Sequence, residues 1–143
     1  MLAFDSLVIS ELMAANRSVL ADEDGDFSDW LEIHNPTNES VSLAGWSLTD
    51  DAEERQKWPL PETTLAAGVY QVVFASGKDR QSTESFWHTN FRLRAEGEFL
   101  ALVDPSGEIS HEYSPQYPQQ SSDVAFGLVS DQTLLLAEEG ASR

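Results

Sequence analysis

The feature that most constrains this chain is a rhythm. Short β-forming runs recur between Gly, Pro, Asn and Asp turn signals, and helical periodicity is scarce. Leu7–Met13 alternates in part and reads as a first strand. Asp29–Asn35 sets Trp30 and Glu32 on one face and Leu31 and Ile33 on the other, ending at Asn35-Pro36. Val41–Asp51 follows, with Gly45 at a bend or bulge. Lys57–Pro61 holds too much proline for a central strand and suits a sheet edge. Val69–Ala75 is the cleanest strand, bounded by Gly68 and Gly77.

Further on, Asn90–Leu93 and Glu98–Asp104 look like a pair around Ala95-Glu96-Gly97. Glu108–Ser114 returns from the Pro105-Ser106-Gly107 turn as a hairpin. Val124–Val129 and Thr133–Leu136 are the last strand candidates. Lys78–Asn90 reads as a long polar loop, Pro115–Asp123 as extended chain, and residues 137–143 as a frayed tail. About eight to ten strands at this spacing, without βαβ alternation, predict an all-β sandwich formed by one domain over residues 1–143.

Charge narrows the partners. The chain carries 25 acidic and 8 basic residues, a formal net charge of −17. That field repels phosphate backbones and anionic headgroups, which argues against nucleic-acid binding and leaves cations as natural companions. With no cysteine, disulfides and thiolate chemistry are excluded. No apolar run is long enough to insert in a membrane as a helix, and no signal peptide is expected, Asp5 and Glu11 breaking the first apolar stretch.

The stretch ADEDGDFSDWLEIHN (Ala21–Asn35) carries the strongest chemical signal. Asp22, Asp24 and Asp26 stand at alternate positions around Gly25, so a curling loop can aim three carboxylates at one centre. Calcium takes six to eight oxygens, and Asp29 with nearby carbonyls could extend such a shell. The spacing is not that of an EF-hand loop, because the position of its bidentate Glu falls on Ile33. Two readings stand: a calcium site that steadies the module without being required for it, and a solvated Asp-Gly hairpin turn. A second acidic group, Asp50-Asp51 with Glu53-Glu54, is not expected to join it.

Other candidates are weaker. His34, His88 and His111 lack the spacing of a helical zinc motif. Ser76 in Ala-Ser-Gly is followed by Lys78 and is not part of a Gly-x-Ser-x-Gly elbow. No nucleophile–base pair stands out, so no catalytic residue is assigned and the chain is not expected to be an enzyme. Trp46 and Trp58 lie in apolar contexts and read as core. Trp87, beside Phe86 in a polar segment, is the best candidate for an exposed ring that could stack on a sugar, but the expected role of the two aromatics is to cap one end of the sandwich, since large aromatics are mostly buried.

Taken together, ISEL, DWLEIHNPTNESVSLAGWSLTDD, the WPLP…TLAAGVYQVVFASGKD run, HTNFRL and GEFLALVDPSG resemble the bacterial form of the lamin tail domain, in order and spacing, over about Leu7–Gly127. The resemblance implies an immunoglobulin-like β-sandwich that acts as an interaction module. It implies a setting beside other domains of a large exported or envelope-associated protein, with those domains or another protein as partner. Oligomeric state is left open. The acidity and the insertion Asn16–Ser28 depart from nuclear lamins, so chromatin roles are not carried over.

Overall fold

The computed structural model describes residues 6–81, 86–114, 116–120, 122, 125–129 and 132–135. The expected frayed tail lies outside them. Twelve strands form, several of only two residues, and no helix occurs among the described residues.

A six-stranded sheet runs in the order β12-β11-β1-β2-β7-β8. Its members are β1 (Val8–Met13), β2 (Asp29–His34), β7 (Tyr70–Ala75), β8 (Trp87–His88), β11 (Phe126–Val129) and β12 (Gln132–Leu135). A four-stranded sheet, order β10-β9-β4-β5, contains β4 (Ser47–Thr49), β5 (Trp58–Pro59), β9 (Leu100–Val103) and β10 (Ile109–Tyr113). The short pair β3 (Val41–Ser42) and β6 (Thr64–Leu65) forms a third sheet. All pairings between named strands are antiparallel except β7 with β8.

The sandwich exists because one face of each large sheet is apolar. Ile9, Leu12, Leu31 and Val73 from the six-stranded sheet meet Leu48, Trp58, Leu100 and Leu102 from the other, each essentially sealed from solvent. A buried indole needs a partner for its N–H. Trp58 Nε1 donates to Asp79 Oδ1 at 3.1 Å. Tyr113 ties the layers by donating its hydroxyl to the Ile9 carbonyl at 2.8 Å.

The second strand departs from simple alternation. Trp30, Leu31, Glu32 and Ile33 are all buried. The reason is the insertion before β2, which folds over the sheet's outer face. Val19 and Leu20 pack against Met13, Trp30 and Phe74 there. Asn16 braces this cover, its Nδ2 donating to the carbonyls of Leu20 at 2.9 Å and Ser28 at 2.8 Å. Beneath the cover Glu32 accepts the Ser10 hydroxyl at 2.8 Å.

Several boundaries move. Val41–Asp51 splits into β3 and β4 around Gly45, while Lys57–Pro61 supplies β5 at a sheet edge as expected. The pairing of Asn90–Leu93 with Glu98–Asp104 does not form. Tyr117 stands beside that turn instead, donating its hydroxyl to the Arg94 carbonyl at 2.8 Å, and Arg92 bridges to Ser76. The segment expected as a loop over Lys78–Asn90 contains β8. That strand turns Trp87 into the main core, 4% exposed, so the ring is buried and not open for stacking on a sugar. Its neighbour Phe86 takes the outward position at 48% exposure, because successive side chains of a strand face opposite ways.

Candidate functional site: an acidic loop closed on Lys78

The loop before β2 curls because Asp22 bonds to its own successors. Asp22 Oδ1 accepts the backbone N–H groups of Asp24 at 2.9 Å and Asp26 at 3.0 Å, and its backbone N–H donates to the Asp26 carbonyl at 2.8 Å. Gly25 completes the turn at φ 82°, a conformation side-chain-bearing residues rarely adopt. The alternate aspartates are thereby brought to one side.

At their focus stands a cation from the chain itself. Lys78 Nζ lies 2.7 Å from Asp22, 2.9 Å from Asp24 and 2.8 Å from Asp26. An ammonium has three protons, and each meets one carboxylate. Burial acts to raise the Asp22 carboxyl, but Lys78, the two backbone N–H groups and the Ser28 hydroxyl together bring it down to about 2. Burial likewise acts against the charge on Lys78, and the three carboxylates outweigh it, holding the ammonium well above its usual value.

A second ring of contacts fixes the loop to the sheet edge. Glu23 accepts from Arg80 Nη1 at 2.7 Å through one oxygen and lies 2.6 Å from His88 Nε2 through the other. His88 is fully buried, and its Nδ1 lies 2.7 Å from Ser76 Oγ. With the ring neutral, Nε2–H donates to Glu23 and Nδ1 accepts the Ser76 hydroxyl. Serine, histidine and carboxylate in this order make a nucleophile relay in some enzymes. Here Ser76 is only 5% exposed and already accepts the Lys78 backbone N–H at 3.1 Å, so the chain of bonds ties β7, β8 and the loop together.

Asp22, Asp24 and Asp26 each offer an oxygen within 4.8 Å of the others, as do Asp22, Glu23 and His88 with one ligand atom apiece. The first set fits a divalent cation in donor type, but its centre is where the Lys78 ammonium sits. A calcium ion and Lys78 would exclude each other.

Elsewhere the acidic and histidine candidates have separate jobs. Asp50 pairs with Lys57 at 2.7 Å in the four-stranded sheet. His34 stacks on Tyr70 with centroids 3.8 Å apart, and His111 Nδ1 accepts the Ile9 N–H at 3.1 Å.

Beside the loop, a cleft of about 390 Å³ is lined by Asp26, Phe27, Ser28 and Asp29 and by Ala75, Ser76, Lys78 and Arg92. Asp29 Oδ1 accepts the Asn16 N–H at a long 3.3 Å. Burial dominates there and lifts the carboxyl to about 6, with Arg92 pulling only weakly the other way. Arg92 Nε donates to the Ser76 carbonyl at 3.0 Å. Sequence reasoning singled out the three aspartates and missed the cations that answer them. One signal was available: Lys78 and Arg80 stand at alternate positions directly after β7, a basic counterpart to the alternating acids.

No curated protein matches the chain at a significant level. The family model described as Lamin Tail Domain matches residues 3–116, most of the chain, and spans the two large sheets through β10, with the acidic loop inside it. On that match and this sandwich, the chain belongs to the lamin tail domain family, a family of immunoglobulin-like, non-enzymatic domains.

Proposed function

We propose that this chain is a non-catalytic interaction module of a larger exported or envelope-associated protein, its partner a neighbouring domain or another protein. The observation that carries the reading is the family match over most of a sandwich whose acids and bases are engaged with one another. The serine at the end of the His88 relay borders the cleft but is only 5% exposed and already accepts the Lys78 N–H, which supports a binding role over a hydrolytic one. A net charge of −17 favours a partner with a basic surface and speeds its encounter.

In this reading the acidic loop is stabilised by a cation, and Lys78 supplies it; calcium is a competitor for the same carboxylates. Carbohydrate binding has less support, since Trp87 lies in the core. The test is deletion of the module from the longer protein, followed by fractionation and assay of the remaining domains. The expected result is unchanged chemistry in those domains with altered assembly or retention at the envelope. Loss of a catalytic activity, rescued by the isolated module, would overturn it.

A further inference from the structure

The cleft beside the acidic loop holds two opposite charges that do not meet. Asp29 and Arg92 both line it, and they are near enough for Arg92 to act on the Asp29 carboxyl. Yet the hydrogen bonds these two side chains make run elsewhere, from the Asn16 N–H to Asp29 and from Arg92 Nε to the Ser76 carbonyl. Freely moving side chains of opposite charge in a partly desolvated space would close on each other. These two are tethered by different backbone groups.

The tether on Arg92 is shaped by a glycine. A Cβ at Gly77 would lie 3.4 Å from Arg92 Nε and 3.6 Å from its Cγ, so the arginine stem runs directly over the glycine backbone. Lys78, the other cation on the wall, has its charge already met by three carboxylates. Asp29 and Arg92 thus share the cleft as unpaired opposite charges, beside an acidic cluster that outnumbers its lysine and with Phe27, 45% exposed, also in the lining.

We propose that this cleft binds a small zwitterion of the amino-acid type, its ammonium on Asp29 and its carboxylate on the free amino groups of Arg92. A simple anion would be attracted by Arg92 and repelled by Asp29, and a simple cation the reverse. Only a ligand with both charges gains at both walls. The volume lies at the small end for ligand sites, which suits a single amino acid rather than an oligomer. Because each wall is already fixed, little ordering cost remains to be met on binding.

The experiment is a backbone amide NMR titration of the protein with free amino acids from glycine to phenylalanine, and with butyrate and butylamine as half-ligands. The expected result is saturable movement of the Ser76, Gly77 and Arg92 amides with at least one amino acid. The half-ligands should bind about tenfold more weakly or worse, as should the same amino acid to Arg92→Met or Asp29→Asn, since each loses one charge-assisted bond. The wild-type panel decides the matter even if a variant folds poorly. No saturable shift with any amino acid, or half-ligands that bind as tightly as the zwitterion, would overturn the proposal.

Discussion

Asp22 in the acidic loop and Asp29 at the start of β2 are the same residue type, and their surroundings drive them in opposite directions. Asp22 receives two backbone N–H groups, a serine hydroxyl and an ammonium, and its carboxyl falls to about 2. Asp29 receives one long N–H bond, too little to offset its burial, and its carboxyl rises to about 6. Burial alone therefore does not decide a carboxylate's state; the count of donors does. The loop thus has a saturated end that holds it to the sheet and an under-satisfied end that faces a cleft.

The largest effect should come from emptying the saturated end. Lys78→Met leaves three converging carboxylates without a counter-charge, one of them buried. Removing one partner of a buried pair costs about 3–5 kcal/mol, and the exposure of Asp24 and Asp26 brings the expected loss to about 2–3 kcal/mol. Denaturant melts at neutral pH measure it, and a loss under 0.5 kcal/mol, by the scale of ordinary surface changes, would show the clamp to be ornamental. Calcium at millimolar levels should raise the melting temperature of this variant by mass action and leave the wild type unchanged. A wild type that responds as strongly would mean the ion displaces Lys78.

At the other end the sign reverses. Asp29→Asn removes a charge that is costly to bury, so stability at pH 8 should rise by about 1–2 kcal/mol. In the wild type, the folded state holds the Asp29 proton more tightly than the unfolded chain, whose value is about 3.9. Its contribution is therefore full below about pH 4 and is lost as pH rises through about 6. Asp22 has the opposite slope: its stabilisation is full above about pH 4 and is lost as pH falls towards 2. Melts from pH 2 to 8 should show the slope between 4 and 6 diminish in Asp29→Asn alone. An unchanged slope would mean that another group titrates there.

How much of this was legible beforehand divides along the same line. The fold was, because a period of two and turn residues such as Pro105-Ser106-Gly107 act over a few positions. The convergence of Asp22, Asp24 and Asp26 was also legible, since alternate acids about a glycine make a local geometry. Their cation was not, because Lys78 lies far along the chain and arrives only through the pairing of β2 with β7. The sugar-stacking alternative for Trp87 fell for a related reason. A polar neighbourhood suggested exposure, whereas the parallel pairing of β8 with β7 decides which way the ring points. The Asn90–Leu93 pairing was lost to contacts from Tyr117 and Ser76, both distant in sequence.

A smaller contrast separates Lys78 from Arg80. Arg80 reaches Glu23 and Asp24, but its side chain is 41% exposed and water competes for each bond. Arg80→Gln should cost much less than Lys78→Met, and less still in high salt. A cost equal to that of Lys78→Met would mean that Glu23 and His88, rather than Asp22, are the main attachment of the loop.

The finest comparison needs almost no change in stability. Arg92 lowers the Asp29 carboxyl from across the cleft without bonding to it. Arg92→Met should therefore move the Asp29 midpoint further up, read by carbon-13 NMR of the carboxyl, while the Asp22 midpoint stays where the Lys78 clamp holds it. The shift should be modest, because a guanidinium acting through a solvent-filled gap is screened far more than one in contact. If the Asp29 midpoint did not move, Arg92 would lie too far away to share a ligand with it. If Asp22 moved as well, the two ends of the loop would be electrostatically coupled, and a ligand entering the cleft would then be felt at the clamp.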